Sequence, residues 1–309
     1  MKVVITGAAG LVGQNLVARL KARPGVELVG IDKHPTNTGL LRRLHPEVQV
    51  IEADLSCGGA WEGAFAEADA VVINQAQIGG LVEQEFIDNN VVATQNVLAA
   101  MRRHGTPYFV LISSSVVNSV ADDFYTRSKR AQEHLVDQVH DIPHAVLRPT
   151  LMFGWFDRKH LGWLRRFMDR SPVFPVPGNG RYVRQPLYVG DFVEVIVAAL
   201  NGRTTGTFDI SGQEKIFYGD LIRLIRDTVN ARSVVLNIPY RVFLFLLALY
   251  ARIDRNPPFT TSQLKALVIP ETFPTTDWPE VFKVRSTPLK EAIRETYLNA
   301  TYGEIVLDF

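Results

Sequence analysis

A tyrosine and a lysine four residues apart, Tyr125 and Lys129, have the spacing and the chemistry for proton transfer. They stand at the start of a helical pattern, where residues four apart lie on one face. Three serines at 113–115 directly follow the apolar run Phe109–Ile112, which we expect to be a strand. The carboxyl end of such a strand is where open α/β sheets bind ligands. The pattern predicts a site where a phenol, an ammonium group and a serine hydroxyl act together.

The proton chemistry depends on the pKa of the Tyr125 phenol. A free phenol has a pKa of about 10, so it exchanges protons poorly near neutral pH. A positive charge beside the oxygen lowers that pKa, and the Lys129 ammonium would supply one. On an arbitrary helix this pairing would carry little information, so the surrounding elements decide its meaning.

A glycine-rich segment at 6–13, T-G-A-A-G-L-V-G, joins the apolar run Val3–Ile5 to the amphipathic segment Leu11–Leu20. It predicts a strand, a tight turn and a helix that packs close to the sheet. Backbone N–H groups at such a helix start favour a pyrophosphate. The spacing is G-x-x-G-x-x-G and not the commoner dinucleotide fingerprint G-x-G-x-x-G, so only the physical reasons for the glycines carry over. An ordinary strand–helix turn stays an alternative. The predicted contacts are Gly7, Gly10, Leu11, Val12 and Gly13.

An acidic residue follows the second apolar run at the distance expected for a ribose contact. The run Val26–Ile31 ends in Asp32, nineteen residues after Gly13. A carboxylate there hydrogen-bonds the adenosine ribose hydroxyls and favours NAD over NADP. The following Lys33 and His34 could accommodate a 2′-phosphate, so the sequence leaves NADP as the alternative.

The composition indicates a globular protein without the charge pattern of a nucleic-acid binder. The 309 residues are 47% hydrophobic and 21% charged, with a net charge of +1 and no extended basic run. The single cysteine, Cys57, excludes an internal disulfide, and His140 and His144 lack further ligands at metal spacing. The first apolar run begins next to Lys2, so we expect no targeting peptide and a cytoplasmic protein.

Apolar runs alternate with helical patterns along the first half of the chain, which is typical of a parallel sheet with crossover helices. The fold class is therefore α/β, with a Rossmann-type doubly wound parallel sheet. A long helix from Val82 to Arg103 should end at Gly105. The expected further strands are Val48–Ile51, Ala70–Ile73, Phe109–Ile112 and Ala145–Leu147.

The alternation fades after Gly154 into aromatic, Arg- and Pro-containing sequence, which predicts a second, smaller lobe that faces the substrate. A strand and helix over Leu187–Leu200 and a strand over Thr207–Ile210 should return to the first lobe. We therefore expect a discontinuous division. Residues 1–153 with 187–211 would bind NAD, and residues 154–186 with 212–309 would form the C-terminal substrate lobe.

The longest strongly apolar run, Val242–Tyr250, is flanked by Arg241 and Arg252. Nine residues are too few to span a bilayer core, which requires about 20 in a helix. A buried or interface helix is one interpretation. A membrane-surface helix with basic flanks is the other. Near the lobe boundary, Arg158, Lys159 and His160 are either a solvated basic face or a patch that steers a phosphorylated substrate.

The tyrosine–lysine pair, the serines and the glycine-rich turn together make the chain resemble the extended short-chain dehydrogenase/reductase family. The likeness is to its nucleotide-sugar epimerase and dehydratase branch, which includes UDP-glucose/UDP-galactose 4-epimerases. The resemblance implies that Tyr125 is the general acid/base and that Lys129 lowers its pKa and binds the nicotinamide ribose. Aligning S-S-S-V-V-N-S with the family's S-S-x-x-V-Y-G assigns the catalytic hydroxyl to Ser114, with Ser115 as the fallback.

The resemblance also implies further contacts with the cofactor, NAD. An Asp-Leu pair would contact adenine, an N-Q-A segment would lie beside the ribose, and Asn90 would support the active site from the central helix. An asparagine on an apolar helix face costs stability unless its amide is hydrogen-bonded, which favours a structural or proton-relay role. These implied contacts are Asp54, Leu55, Asn74, Gln75, Ala76, Asn90, Pro149 and Thr150.

On the substrate side, the segment at 177–191 resembles the family's G-x-G…R-x-x-x-H/Y-V-x-D motif. This implies that Arg184 binds the substrate diphosphate, a role that suits a guanidinium fork. Ser115 and Tyr188 are the other implied substrate contacts.

The chain departs from the family pattern in four respects. V-N-S stands at 117–119 where the family has V-Y-G, and the interval from Ser115 to Tyr125 is short, which predicts an open pocket. Leu151 replaces an asparagine that contacts the diphosphate in many relatives. Ser115 and Val116 stand where the family's 4,6-dehydratases carry Asp-Glu, so elimination and decarboxylation are disfavoured.

We therefore predict an isomerase, an NAD-dependent 4-epimerase of a diphosphate-linked sugar. Its place would be nucleotide-sugar metabolism and polysaccharide biosynthesis. The carrier is either a nucleotide or a polyprenol at the inner membrane surface, with contact through Val242–Tyr250. The alternatives are an NAD(P)-dependent ketoreductase of a lipid-like substrate and a non-catalytic NAD-binding interaction protein. The resemblance further implies a homodimer and no nucleic-acid or metal partner.

Overall fold

The computed structural model describes residues 1–158, 161–253, 264, 267–268, 272–274 and 276–308. Seven of its strands form one parallel sheet, and the other six form two-stranded pairs. In chain order the strands are β1 (Lys2–Thr6), β2 (Glu27–Asp32), β3 (Gln49–Glu52), β4 (Ala70–Ile73), β5 (Phe109–Ile112), β6 (His144–Pro149), β7 (Met152–Phe153), β8 (Val173–Pro177), β9 (Val183–Arg184), β10 (Leu187–Tyr188), β11 (Gly206–Ile210), β12 (Ile216–Phe217) and β13 (Val234–Ile238).

Helices lie between most of these strands. They are α1 (Leu11–Leu20), α2 (Pro35–Leu44), α3 (Glu83–Phe86), α4 (Ala93–His104), α5 (Phe124–Asp137), α6 (Gly162–Arg170), α7 (Val189–Gly202), α8 (Tyr218–Thr228), α9 (Tyr240–Ile253), α10 (Trp278–Phe282) and α11 (Leu289–Leu298). Short 3₁₀ segments cover Ala60–Phe65 and Ser115–Asn118, and a π-helical segment covers Ile87–Val92. None of these described helices is both long and apolar enough to cross a bilayer.

The main sheet has the order β11-β6-β5-β4-β1-β2-β3. The chain runs outward from β1 in one direction through β2 and β3, and in the other through β4, β5 and β6. This order confirms the predicted doubly wound α/β fold. The strand order reverses between β1 and β4, and ligands bind in such sheets at the carboxyl ends beside this reversal.

The sheet is apolar on both faces, as the sequence pattern requires of a parallel sheet covered by helices. On β1, Val3 and Ile5 are fully buried in the core that contains α1 and α7. Val4, between them, is fully buried in the opposite core, against α4. Alternate side chains of one strand thus hold both helical layers in place.

The predicted long helix is present but is interrupted. It begins as α3, passes through the π-helical segment Ile87–Val92 and continues as α4 to His104. Gly105 ends it with φ = +69°, the left-handed geometry that glycine adopts easily. A π-helical turn is common at functional sites because it shifts the side-chain register. Here the shifted turn contains Asn90.

The chain after Gly154 forms its own apolar cluster, in which α6, α8 and α11 pack together with β8. β8 pairs with β13 in parallel, and β11 joins the main sheet beside β6. This arrangement agrees with a chain that leaves the sheet and returns to it. The division into two lobes at the stated boundaries stays a prediction.

Replacing Trp278 with alanine should lower the free energy of unfolding by about 3–5 kcal/mol, the usual loss for a buried aromatic side chain. Trp278 is buried in the core that contains α7, and its Nε1 donates to the Ser211 carbonyl at 2.8 Å. Urea denaturation measures the change. The matched control is Trp163→Ala, since Trp163 is only partly buried. Equal losses for the two variants would contradict this account of how α10 is anchored.

Candidate active site

The glycine-rich turn after β1 is held against the segment after β4. Gly7 has φ = +61°, and a Cβ added there would lie 2.7 Å from the backbone N of Gln75. The Asn74 side chain donates from Nδ2 to the Gly7 carbonyl at 2.9 Å. Only glycine fits this approach, so Gly7 is required by the fold as well as by any phosphate contact.

Gly13 and Gly10 have different surroundings. A Cβ on Gly13 would lie 2.4 Å from the Gly7 carbonyl oxygen, so this glycine lets α1 pack on the turn itself. Gly30 of β2 is similarly restricted, because its added Cβ would be 2.9 Å from the side chain of Ala8 in the turn. Around Gly10 the nearest atom to an added Cβ is 3.5 Å away, which leaves this face of the turn open.

The start of α1 fits a bound pyrophosphate. Gly10 is the N-cap residue, and no side chain caps the first turn, which begins at Leu11 and Val12. Exposed N–H groups and the helix dipole make such a terminus an anion site. The open face of Gly10 lies at the same turn. A dinucleotide with its phosphates here is consistent with both features.

Asp32 fastens the turn to the end of β2. Its Oδ2 accepts from Ala9 N at 3.0 Å and its Oδ1 from His34 N at 2.9 Å. Burial raises the pKa of Asp32, and the backbone N–H groups oppose that shift. Each carboxylate oxygen can accept more than one hydrogen bond, so the side chain can still accept ribose hydroxyls.

The basic residues that follow Asp32 are both engaged in local contacts. Lys33 Nζ lies 3.1 Å from Asp54 Oδ2, and His34 Nδ1 accepts from Asn37 N at the start of α2. The Asp54 carboxylate therefore meets the charge that could otherwise attract a 2′-phosphate. This pairing agrees with NAD as the cofactor.

The predicted catalytic pair lies on the first two turns of α5. Asp123 caps the helix, since its Oδ1 accepts from Thr126 N at 2.8 Å. Burial raises the pKa of Tyr125, while a hydrogen bond with the Ser114 hydroxyl lowers it and Asp123 raises it. Ser114 is itself fixed, because its Oγ accepts from Val116 N at the start of the 3₁₀ turn. Ser114 and Tyr125 therefore lie close together at the end of β5.

Lys129 is buried one turn further along α5. Its Nζ donates to the Ile112 carbonyl at 2.8 Å and to Gln132 Oε1 at 2.5 Å. Burial lowers the pKa of Lys129 to about 7, although the nearby Glu133 raises it. The Glu133 carboxylate is bonded by both Nε and Nη2 of Arg148, so it does not contact the ammonium.

Asn90 is fully buried and its amide is satisfied. Its Oδ1 accepts from Gln77 N at 2.6 Å, and its Nδ2 donates to the Gln77 carbonyl at 3.1 Å and to Ser128 Oγ at 2.8 Å. Ser128 in turn donates to the Tyr125 carbonyl at 2.8 Å. The expected hydrogen bonding of this helical asparagine is thus present, and it ties the loop after β4 to the turn that holds Tyr125.

The short interval between Ser115 and Tyr125 is held by Arg130 of α5. Its guanidinium donates to the carbonyls of Val117 at 3.1 Å and Ala121 at 3.3 Å, and also to that of Ser119. The backbone of this loop is therefore anchored although its side chains are exposed.

Other predicted cofactor contacts lie at neighbouring strand ends. Pro149 and Thr150 are buried at the end of β6, and Thr150 Oγ1 has no hydrogen-bond partner among the described residues. Ala76 is exposed beyond β4, and Leu55 is buried in the core against Trp61. The Gln75 side chain points into a buried network with Thr6 and Thr94.

On the substrate side, the structure assembles only part of the predicted set. Ser115 follows Ser114 and is half-buried. The Arg184 guanidinium donates to the carbonyls of Val183 and Leu267. Leu151 is 36% exposed. Arg158 lies 3.5 Å from Asp308, while Lys159 and His160 are outside the described residues.

Tyr188 of β10 contacts the last turn of α1. It is buried, and its hydroxyl accepts from Arg19 Nη2 at 2.9 Å, near the last turn of α1 and far along that helix from the phosphate-binding end. Glu295 of α11 holds the same guanidinium at 3.0 Å. The side chain thus joins α1 to α11 through Arg19, and its role as a substrate contact stays a prediction.

Two residues that the sequence did not single out complete the site. Thr94 of α4 accepts from Gln75 Nε2 at 3.1 Å and from Gln132 Nε2 at 2.7 Å. Thr94 follows Asn90 by four residues, and Gln132 follows Ser128 by four, so each pair shares one helix face. The signal available in the sequence was a polar residue that recurs four positions later on a helix face expected to be buried.

A family model described as the NAD dependent epimerase/dehydratase family matches residues 3–210, from β1 to the end of β11. The chain belongs to this family. Membership confirms the predicted resemblance to extended short-chain dehydrogenase/reductases and the expectation of an NAD-dependent enzyme. The roles of individual site residues stay predictions.

Several relatives are similar over most of their length. The N-acetyl-alpha-D-glucosaminyl-diphospho-ditrans,octacis-undecaprenol 4-epimerase of Escherichia coli O157:H7 is 26% identical over 259 residues, which cover 77% of this chain and 75% of that protein. A ceramide reductase of Caulobacter vibrioides is 27% identical over 77% of this chain and 73% of that protein. The solved UDP-glucose 4-epimerase of Thermotoga maritima superposes with a TM-score of 0.73 at 18% identity, covering 96% of this chain and 97% of the other.

Alanine substitutions at Gly10 and Gly13 should separate binding from folding. Gly13→Ala should lower the free energy of unfolding by about 1–3 kcal/mol, because its Cβ has no room. Gly10→Ala should change it by less than about 0.5 kcal/mol, as at an open position. The added methyl group should nevertheless raise the Kd for NAD about tenfold or more. Denaturation measures the change in stability, and calorimetry measures the Kd for NAD. An unchanged Kd for Gly10→Ala would show that the phosphates do not bind beside Gly10.

Proposed function

We propose that the chain is an NAD-dependent 4-epimerase of a sugar carried on a diphosphate. The observation that carries the proposal is the approach of Ser114, at the carboxyl end of β5, to Tyr125, with Lys129 one helical turn away. This trio supplies one acid–base group, one orienting hydroxyl and one cation. A 4-epimerase needs no more than these and a hydride acceptor.

In the proposed reaction, Tyr125 as phenolate takes the proton of the sugar 4-hydroxyl while C4 is oxidised. When bound, the oxidised nicotinamide would supply a positive charge, accept the hydride from C4 and return it to the opposite face of the keto sugar. Ser114 donates to the oxygen at C4 and holds it beside Tyr125. After the keto sugar turns, Tyr125 returns the same proton, so the enzyme ends with its original charge. The sugar differs only in its configuration at C4.

The pKa of Tyr125 makes positive charge essential to this step. Burial raises that pKa, so the phenol alone would stay protonated at neutral pH. Lys129 and the cationic ring would both favour the phenolate. The proposed enzyme therefore couples deprotonation of Tyr125 to the oxidised cofactor.

The residues next to Ser114 argue against elimination and decarboxylation. Ser115 and Val116 begin the 3₁₀ turn, and a valine cannot transfer a proton. In the resemblance drawn above, dehydratases carry two acidic residues at this point. Hydride transfer with a single acid–base group is the chemistry that remains.

We further propose a polyprenol as the carrier, on the basis of α9. Val242, Phe245, Leu246 and Leu249 of this helix are 48%, 66%, 48% and 44% exposed. Their spacing of three, four and seven residues from Val242 gives one continuous apolar face. Phe243, by contrast, is buried, so the helix packs on the protein by its other side. A helix of this kind can lie in the plane of a membrane interface.

The charges beside this apolar face favour an anionic lipid surface as its partner. Residues 231–253 contain three arginines and no aspartate or glutamate. Arg232 and Arg241 are exposed, and the side chain of Arg252 lies outside the described part of the chain. Basic residues beside an apolar helix face add electrostatic attraction to anionic headgroups. The 4-epimerase of Escherichia coli O157:H7, whose name specifies an undecaprenyl diphosphate sugar, supports the same carrier class.

A reductase of a lipid-like ketone is the second candidate. Leu151 is partly exposed where many relatives have an asparagine, and the similar Caulobacter protein is named a ceramide reductase. A reductase must exchange its cofactor at every turnover, whereas an epimerase regenerates it. We also propose, from the family resemblance, that the protein is a homodimer and that the lobes divide as stated above.

The fate of the cofactor tests the function. We expect the purified protein to retain NAD through gel filtration and to interconvert sugars at C4 without added cofactor. The released nucleotide is identified after denaturation, and the substrate panel contains UDP-sugars and polyprenyl-diphosphate sugars. Turnover only with stoichiometric NAD(P)H would favour the reductase. Bound NAD without turnover on any member would favour the non-catalytic protein.

Tyr125→Phe should abolish turnover while NAD stays bound, because only the ionisable oxygen is removed. Positioned acid–base groups typically contribute about 10²–10⁴-fold to the rate. The matched control is Tyr240→Phe, at the start of α9 and away from the proposed chemistry. Activity of Tyr125→Phe within about tenfold of the unchanged protein would contradict the role of Tyr125.

Vesicle binding tests the proposed membrane face. The full-length protein should float with vesicles that contain anionic phospholipid and less well with neutral ones. The double variant Phe245→Gln with Leu249→Gln should lose most of this binding. Val281→Gln, at an exposed apolar residue of α10, should keep it. Absence of flotation would reject the membrane as the partner of this apolar face. A change only in the oligomeric state of the double variant would indicate that a second copy of the chain covers the face instead.

A further inference from the structure

A continuous buried hydrogen-bond network runs from the glycine-rich turn to Lys129. Thr6 Oγ1 bonds Gln75 Oε1 at 2.5 Å, and Gln75 Nε2 donates to Thr94 Oγ1 at 3.1 Å. Gln132 Nε2 donates to the same Thr94 oxygen at 2.7 Å, and Gln132 Oε1 accepts from Lys129 Nζ at 2.5 Å. The network crosses from β1 through the loop after β4 and through α4 to α5.

The direction of each bond in this network is fixed from its two ends. Lys129 Nζ donates to Gln132 Oε1, which turns the Gln132 amide nitrogen toward Thr94. The Thr94 hydroxyl donates to the Asn90 carbonyl at 2.7 Å, so it can only accept from both glutamines. Gln75 must therefore present its oxygen to Thr6. Because each of these groups is bonded to the next, a change at one end should also rearrange the other.

The network is also almost closed to water. Thr6, Thr94 and Gln132 are fully buried, Lys129 is 1% exposed, and Gln75 is partly buried. Among the described residues, Glu133 is the one charged side chain that shifts the pKa of Lys129, and it is held by Arg148. Tyr125 precedes Lys129 by one turn on the same helix, while α4 and β5 present neutral groups through Thr94 and the Ile112 carbonyl. The ammonium is therefore positioned by dipoles alone.

We propose that Gln132 and Thr94 are positioning residues that hold the Lys129 ammonium in place and connect it to the cofactor-binding turn. Gln132 supplies the side-chain acceptor that fixes Nζ beside Ile112. Thr94 holds Gln132 in that orientation and passes the constraint through Gln75 to Thr6, next to Gly7. This inference deepens the proposed function and rests on it for the role of Lys129.

Titration of Lys129 in the cofactor-free protein tests the first half. Lysine is labelled with ¹³C at Cε, and the Lys129 signal is assigned by its loss in Lys129→Met. Gln132→Glu places a carboxylate beside Nζ and should raise the proton affinity of Lys129 about tenfold or more, or one pH unit. Gln132→Leu removes the acceptor and should lower that affinity by a similar factor.

Gln14→Leu is the matched control, because Gln14 is another fully buried glutamine, bonded to the Asn37 carbonyl at 3.3 Å. It should lose stability as Gln132→Leu does, yet leave the Lys129 titration unchanged. Shifts of Lys129 in the same direction for Gln132→Glu and Gln132→Leu, or shifts below about 0.3 pH unit for both, would overturn the positioning role. This measurement requires no substrate, so its failure is distinguishable from a failure of the proposed function.

Cofactor affinity tests the second half. Thr94→Val removes the hydroxyl and should raise the Kd for NAD about tenfold, whereas Thr94→Ser keeps the hydroxyl and should restore binding to within about threefold. In the active enzyme, kcat/KM should fall as pH rises through the Lys129 pKa. Gln132→Glu should move that fall to higher pH and Gln132→Leu to lower pH. Equal NAD affinity for Thr94→Val and Thr94→Ser would overturn the connection to the turn.

Discussion

The site depends on the close approach of the turn after β1 to the backbone after β4. Gly7 lies so near Gln75 that any side chain at position 7 would overlap it. The Asn74 amide locks the approach from the other side through the Gly7 carbonyl. Because these two segments leave neighbouring strands at the reversal of strand order, this contact fixes the phosphate-binding turn relative to the loop that reaches Asn90. The position of α5 then follows through Asn90 and Ser128.

Two buried charges on α5 are handled in opposite ways. Two turns after Tyr125, the Glu133 carboxylate receives a bidentate guanidinium from Arg148, which is the stable arrangement for a buried anion. The ammonium four residues before it, Lys129, receives only a carbonyl and an amide oxygen. An ion pair at Lys129 would stabilise the ammonium charge, but it would also cancel the field of that charge at neighbouring groups. Neutral acceptors leave the positive field available to a phenol and a ribose, at the expense of a lowered pKa.

The parts of the structure that depend on local pattern could be predicted from the sequence. The strand runs, the bounds of α1 and the glycine end of α4 follow from periodicity and turn chemistry, and all are present. The network through Thr94 and Gln132 could not be predicted, because a glutamine on an amphipathic helix usually faces water. Its burial depends on where α4 lies against α5. The contact of Tyr188 with Arg19 could not be predicted for a related reason: motif position gives the residue but not the direction of its side chain.

The helices α7 and α9 show why composition alone left the substrate carrier open. Both are strongly apolar, yet α7 is buried on nearly every side between the sheet and α10, whereas α9 keeps a stripe of large side chains in contact with solvent. Exposed apolar surface of this continuity is uncommon unless a partner covers it. A nucleotide-linked sugar gives no reason for such a face. A polyprenyl diphosphate has its tail in the bilayer and its sugar in water, so an enzyme that acts on the sugar must stay at the boundary between them. An amphipathic helix in a segment, residues 231–253, that contains arginines and no acidic residue meets that requirement.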